Sequence, residues 1–316
     1  MKRIVLILIV FSFAAQAKCD THARNLVHAY PHFLKTCRNN RIVWRDGTQM
    51  VYDDGKPKGR TRDGVIVHPD IEDMFHDSYI RERYPNPAHD PGRNRYEPLF
   101  RKMYGDSAAQ VRRHLTTISW FGQKVRVTKV NDVHRHLAAV EHDLRQLVKS
   151  KPALKKFLTP IGGTFKWRKI AGTNRLSVHS FGAAIDINVK YSAYWRWVKG
   201  KYKYHNDIPT SIVKIFESHG FIWGGKWYHY DTMHFEYRPE LFGGRRPTVS
   251  HKPSKTQPIN KAIPTPAASR EYTVVSGDTL YGIAIKLHTK VDALRLANGL
   301  SGDTIRVGQK LRIPGL

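Results

Sequence analysis

Two short stretches constrain this chain more than anything else in it. One is Ser177-Val178-His179-Ser180-Phe181-Gly182-Ala183-Ala184-Ile185-Asp186, the other Asp231-Thr232-Met233-His234-Phe235-Glu236. His179, Asp186 and His234 supply two imidazoles and one carboxylate. That set suits a single tetrahedral zinc ion with its fourth position open to water. Asp231 lies three residues before His234, as expected of a base that is not itself a ligand. A fold that uses these residues must bring the two stretches together.

Each stretch alone is a modest signal. With 17 histidines in the chain, a single His/Asp pair more often serves structure than chemistry. Order, spacing and small residues strengthen the combined reading. Gly182 permits unusual backbone angles, and Ala183 and Ala184 leave room beside a metal. Glu236 is poorly placed as a base and better suited to orient a ligand from behind. His229 is either a hydrogen-bond donor to a transition state or a surface histidine. Trp223 and Trp227 flank Gly224-Gly225; they wall a groove or fill the core, and at least one is expected in the core.

Periodicity predicts a helix over 132–149 from Val133, Leu137, Val140, Leu144 and Leu147, with Asn131 as its cap. A second helix fits Pro209 to His219, ended by Gly220. Ala183 to Val189 and Met233 to Tyr237 read as strands, so the metal ligands are expected on or beside strands. Ile42-Val43-Trp44 and Met50-Val51-Tyr52 flank a polar turn and predict a hairpin. Pro85, Pro87, Pro91 and Pro98 make 85–98 irregular. Residues 18–130 carry no functional signature and are expected to pack against the remainder or roof its cleft. Prolines mixed with Ser, Thr and Lys make 244–270 a semi-rigid linker.

Lys2 and Arg3, the apolar run Ile4 to Ala15, and Ala15-Gln16-Ala17 predict a signal peptide over 1–17. No other segment is apolar enough to span a membrane, so an exported protein of the periplasm or cell wall is expected. That compartment favours a disulfide between the two cysteines, Cys19 and Cys37. The net charge is +27, and losing Lys2 and Arg3 leaves 27 − 2 = +25. Such a surface attracts polyanions. Behind an export signal these are wall polymers or anionic membranes, and nucleic acid is not expected as a partner. Oligomeric state is left open.

The pattern S-x-H-x-x-G-x-A-x-D followed by D-x-x-H resembles the D-alanyl-D-alanine carboxypeptidase family of zinc peptidases. Gly220-Phe221-Ile222-Trp223-Gly224-Gly225-Lys226-Trp227, leading into Asp231, looks most like its L-alanyl-D-glutamate endopeptidase branch. The resemblance covers about residues 130–240, and the peptidase domain is placed at 131–243. It implies an α+β fold whose small antiparallel sheet carries the metal, with His179, Asp186 and His234 on zinc and Asp231 as catalytic base. It also implies an arginine that polarises the scissile carbonyl or holds substrate; Arg168 is the first match and Arg175 the alternative.

Residues 271–316 resemble a LysM domain. The resemblance implies a βααβ fold binding N-acetylglucosamine-containing glycans, including peptidoglycan. Its groove maps onto Gly277, Asp278, Thr279, Leu280, Asn298 and Leu300. The leading expectation is thus a secreted zinc peptidase of peptidoglycan stems. A D-alanyl-D-alanine carboxypeptidase and a wall-binding protein without activity are the alternatives.

Overall fold

The computed structural model describes residues 19–80, 89–243 and 270–275, then 278, 280, 283, 287, 289, 294, 295, 297–300 and 304–313. The expected signal peptide, Pro85, Pro87 and nearly all of the expected linker lie outside these residues. The chain divides into two units, 1–251 and 252–316.

The first unit begins with α1 (Thr21–Ala29), capped by Asp20, whose carboxylate accepts from Ala23 N. A three-stranded antiparallel sheet follows: β1 (Leu34–Arg38), β2 (Arg41–Trp44) and β3 (Gln49–Val51). The β2–β3 pair is the expected hairpin. Cys19 and Cys37 form a disulfide with 5.8 Å between Cα atoms, pinning the start of the described chain to β1.

Helices α2 (Glu97–Tyr104) and α3 (Ala108–His114) come next. Pro98 sits in the first turn of α2, where its missing N–H costs nothing. Strands β4 (Leu115–Trp120) and β5 (Gln123–Thr128) make a hairpin. Its turn puts Phe121 (φ 47°) and Gly122 (φ 91°) in left-handed conformations. Phe is an unusual residue there, so turn chemistry gave no warning of this hairpin.

The long helix α4 (Val133–Ser150) buries Val133, Leu137, Val140 and Leu144, matching the predicted stripe. Its cap differs from expectation. Asp132 is the N-cap residue, with no side-chain capping bond, and Asn131 instead donates to the Tyr104 hydroxyl at 3.2 Å. A short helix, α5 (Lys155–Leu158), follows.

The central sheet of this unit has the order β6–β8–β7, all antiparallel: β6 (Ala184–Asp186), β7 (Phe221–Trp223) and β8 (His234–Tyr237). The strand expected over 183–189 is therefore only three residues long, and Val189–Tyr191 is a 3-10 turn. Helix α6 (Thr210–Ser218) precedes β7, with Pro209 at its N-cap. Phe216 from α6 stacks on Phe235 from β8 at 3.8 Å.

One hydrophobic core runs through this unit. Leu26, Trp44, Met74 and Phe100 belong to the same cluster as Leu137, Ile185, Phe216 and Phe235. The segment without a sequence signature thus shares its interior with the sheet below the candidate site. Polar contacts reinforce the join. The Tyr30 hydroxyl donates to Glu240 at 2.6 Å, and the Tyr79 hydroxyl donates to Glu217 at 2.6 Å and accepts from Trp223 N at 3.0 Å. Gly92 (φ 88°) packs against Ile222, where any Cβ would collide. No helix among the described residues is long and apolar enough to cross a membrane.

In the second unit β9 (Arg270–Thr273) pairs antiparallel with β10 (Lys310–Ile313). Val274, Leu280, Ile283, Leu294, Leu311 and Ile313 form its core. The whole is an α+β protein.

Candidate metal centre

The centre is built by strand register. Asp186, the last residue of β6, is the antiparallel partner of His234, the first residue of β8. His179 comes from a 3-10 turn, Val178–Phe181, which ends at Gly182 with φ 66°. A Cβ on Gly182 would lie 2.7 Å from Leu115, and Thr128 N donates to the Gly182 carbonyl at 3.0 Å. Only glycine lets the β4–β5 hairpin press against this turn and fix His179 over the sheet. Ala183 and Ala184 are buried core residues, so they support the sheet rather than leave space beside a metal.

Three donor atoms converge. His179 Nε2 lies 3.0 Å from Asp186 Oδ1, His234 Nδ1 lies 2.9 Å from the same oxygen, and the two nitrogens are 3.2 Å apart. Zinc–ligand bonds of about 2.0–2.1 Å at tetrahedral angles put ligand atoms about 3.3 Å apart. The triangle therefore has close to the size such an ion requires.

The far sides of both imidazoles are held. His179 Nδ1 is 2.5 Å from the Thr164 carbonyl, and His234 Nε2 is 3.0 Å from Glu236 Oε2. These contacts direct His179 Nε2 and His234 Nδ1 inward, as ligand histidines are normally oriented. Glu236 is in turn bound by Arg238 Nη1 at 3.0 Å, with Arg95 at 3.6 Å. Its role behind His234 is the one its sequence position suggested.

Charge also favours a cation. Burial alone would raise the Asp186 carboxyl, but the facing imidazoles outweigh it and hold it well below the usual carboxylate range. Burial would likewise lower His234, yet the hydrogen bonds it donates to Asp186 and Glu236 push it up to about 10. Two carboxylates around one imidazole thus demand positive charge.

Asp231 sits beside the triangle. Its Oδ1 is buried and has no hydrogen-bond partner among the described residues. Burial foremost, then the negative charge of Asp186, pushes its carboxyl up to about 7. A carboxyl so raised changes protonation near neutrality.

All four residues line a cleft of about 1180 Å³. Val65, His68, Arg93, Arg95 and Glu97 line it too, so the N-terminal segment forms part of the cleft. Arg168 and Arg175 both line it as well. Arg168 is exposed, whereas the Arg175 guanidinium donates to the Arg93 carbonyl. His229 is largely enclosed, with Nδ1 2.7 Å from both Asp90 Oδ2 and Arg93 Nη1. Both tryptophans are core: Trp223 donates its indole N–H to the Thr232 carbonyl at 2.9 Å, and Trp227 packs with Tyr79 and Ile222 while also lining the cleft. Sequence reasoning missed Arg93, Arg95, Tyr194 and Trp195. No local pattern marks them.

In the second unit, Asp278 Oδ2 accepts from Val275 N and the Tyr272 hydroxyl, both at 2.9 Å. Asn298 ties Leu294 to Arg312 through side-chain bonds of 2.8 and 2.9 Å. Leu280 is a core residue, so any ligand contact it makes runs through its backbone. Leu300 packs partly buried against the same core. Gly277 and Thr279 lie outside the described residues.

The donor set and the adjacent buried carboxylate define a class of site, one suited to metal-assisted hydrolysis. Comparison with known proteins narrows it. The chain carries a domain of the D-alanyl-D-alanine carboxypeptidase family, matched over residues 171–237, and a LysM domain, matched over 272–314. An autolysin of Enterococcus faecalis is 33% identical over 73 residues, which is 23% of this chain and 10% of that protein. The probable endopeptidase p60 of Listeria welshimeri is 50% identical over 52 residues, 16% of this chain and 10% of that protein. Its counterpart in Listeria monocytogenes is 48% identical over 52 residues, 16% of this chain and 11% of that protein. The chain thus spans about a tenth of the length of these relatives. No solved structure matches.

Proposed function

We propose that this protein is an exported zinc peptidase of the periplasm or cell wall. It hydrolyses the peptide stems of peptidoglycan between L-Ala and D-Glu and is held on its substrate by the LysM domain. The observation that carries the reading is the triangle of His179 Nε2, Asp186 Oδ1 and His234 Nδ1 beside the buried Asp231.

In this reading His179, Asp186 and His234 hold one zinc ion. Zinc bound there would polarise the scissile carbonyl and make water acidic enough to attack near neutral pH. Asp231 accepts the proton from water and passes it to the departing amine. Thr164 and Glu236 keep the imidazoles turned inward. The donors His179 and His234 are buried, and that low-dielectric setting strengthens these interactions.

The LysM match and the relatives named autolysin and endopeptidase support a wall substrate. The charge of 27 − 2 = +25 left after loss of Lys2 and Arg3 favours residence on an anionic wall. A second reading, release of terminal D-Ala, is favoured by the guanidinium groups lining the cleft, since a carboxypeptidase must hold a terminal carboxylate. Mass spectrometry of products from a defined pentapeptide stem separates the two. Free L-Ala and a D-Glu-initiated tetrapeptide support the endopeptidase. Release of a single D-Ala with the L-Ala–D-Glu bond intact would make the protein a carboxypeptidase.

A further inference from the structure

Residues 193–197 form a ledge on the cleft, fixed to the segment that carries Asp231. Thr232 N donates to the Ala193 carbonyl at 2.9 Å, and Trp195 N donates to the Tyr230 carbonyl at 3.0 Å. Tyr194 and Asp231 form an antiparallel bridge of their own. Side chains hold the ledge further. The Arg196 guanidinium lies 4.9 Å over the Trp195 ring and donates to Asp63 and to the Ala171 carbonyl, each at 3.0 Å. Trp195 also meets His229 edge to face at 4.5 Å.

Trp197 stands at the end of this ledge. It lines the cleft together with Asp231, yet it is 55% exposed. Its ring meets Tyr194 edge to face at 5.7 Å, and its backbone N–H donates to the Tyr194 carbonyl at 2.9 Å. Among the described residues its indole N–H has no hydrogen-bond partner. The exposed Tyr202 differs, because it stacks on Tyr228 at 4.3 Å and its hydroxyl donates to the Tyr228 carbonyl. Trp197 thus offers the cleft a broad apolar face and a free donor. A rigid support means that little ordering entropy is lost when a ligand covers them.

Stem peptides supply no match for such a face. Their residues are alanines, D-Glu and a diamino acid, all with small or polar side chains. The sugar that carries the stem does supply one. A pyranose ring presents C–H groups on its face and hydroxyls at its rim, which suits an indole ring with its N–H at the edge. That sugar is joined to L-Ala, one residue from the bond proposed to be cut, and Trp197 lies three residues beyond the bridge partner of Asp231. We propose that Trp197 is a saccharide subsite of the cleft, stacking on the sugar ring to which the stem is attached. The first unit thereby reads glycan as well as peptide, separately from the LysM groove. The inference rests on the reading of the metal centre as a stem peptidase.

Its test uses the full-length, zinc-loaded protein and two substrates. One is a bare pentapeptide stem, the other the same stem on an N-acetylglucosamine–N-acetylmuramic acid disaccharide. The disaccharide should raise kcat/KM about 10-fold. Trp197→Ala should bring the ratio between the substrates close to one, and Trp197→Phe should keep part of it. The LysM domain is the same in all three proteins, so a change in ratio reports on the cleft. Equal cleavage of both substrates by the unaltered protein overturns the inference, whether or not the variants fold. An unchanged ratio in Trp197→Ala also overturns it, and a loss shared equally by both substrates would put peptide rather than sugar on the ring. If neither substrate is cut, the peptidase reading fails. Calorimetric titration with the disaccharide stem then decides the subsite: weaker binding by Trp197→Ala than by the unaltered protein supports it, and identical isotherms overturn it.

Discussion

Asp186 and His234 face each other across the β6–β8 pair, and Asp186 Oδ1 lies 2.9 Å from His234 Nδ1. A register slip of one residue would turn one of them to the opposite face of the sheet. The centre is therefore as stable as the pairing beneath it.

Ligand and base should separate experimentally. His179→Ala or His234→Ala should lose bound zinc together with hydrolysis. Asp231→Asn should keep zinc while turnover falls on the order of 10²- to 10⁴-fold. Metal content by atomic absorption, read beside rate, checks both. An Asp231→Asn protein with the original rate removes Asp231 as the base.

Zinc uptake should be coupled to protons. Without metal, His234 is raised to about 10, so it carries a proton at neutral pH. Zinc must displace that proton, and uptake at pH 7 should release about one. Apparent affinity should rise with pH until about 10. Because the folded value is raised, the protonated imidazole stabilises the metal-free protein below its ordinary range. That contribution is lost as pH rises through about 10. Proton release into a weakly buffered indicator solution measures the coupling; zinc binding independent of pH between 6 and 8 contradicts it.

Arg238 should matter far beyond its size. It is fully buried, with Nη1 3.0 Å from Glu236 and Nε 2.5 Å from Glu240. Arg238→Met removes the ion-pair partner of buried Glu240 and one of the partners of buried Glu236, and should cost about 3–5 kcal/mol of stability. Surviving folded protein should bind zinc about 10- to 100-fold more weakly, because Glu236 no longer steadies His234. Denaturant titration and a competitive zinc chelator provide the two readouts. An unchanged midpoint would show that the network is not needed.

Removing residues 271–316 should weaken binding to whole peptidoglycan and spare cleavage of short soluble stems. A tethered binding module raises local substrate concentration without touching the chemistry. The measure is sedimentation with purified wall against kcat/KM on a pentapeptide. Equal loss on both would mean that the module supports the first unit's fold.

The four residues of the candidate centre were legible because they are confined to two short motifs. Donor type, spacing and a glycine where the chain turns sharply are all local properties. Helix α4 was legible for the same reason: its stripe repeats at helical spacing along one continuous segment. Element ends were less so, since Asn131 has a capping residue's chemistry yet is drawn to the Tyr104 hydroxyl. The turn at Phe121 broke the usual residue preference and concealed a hairpin. Arg93, Arg95 and Glu97 could not be read at all. They lie about eighty residues before Leu176 and Arg175, and only the shared core from Leu26 to Phe235 brings them to the cleft. Sequence by itself determined which atoms could bind a metal, because that depends on residue type and short-range spacing. Tertiary structure alone decided what surrounds them, because burial and ion pairing arise from contacts between distant segments.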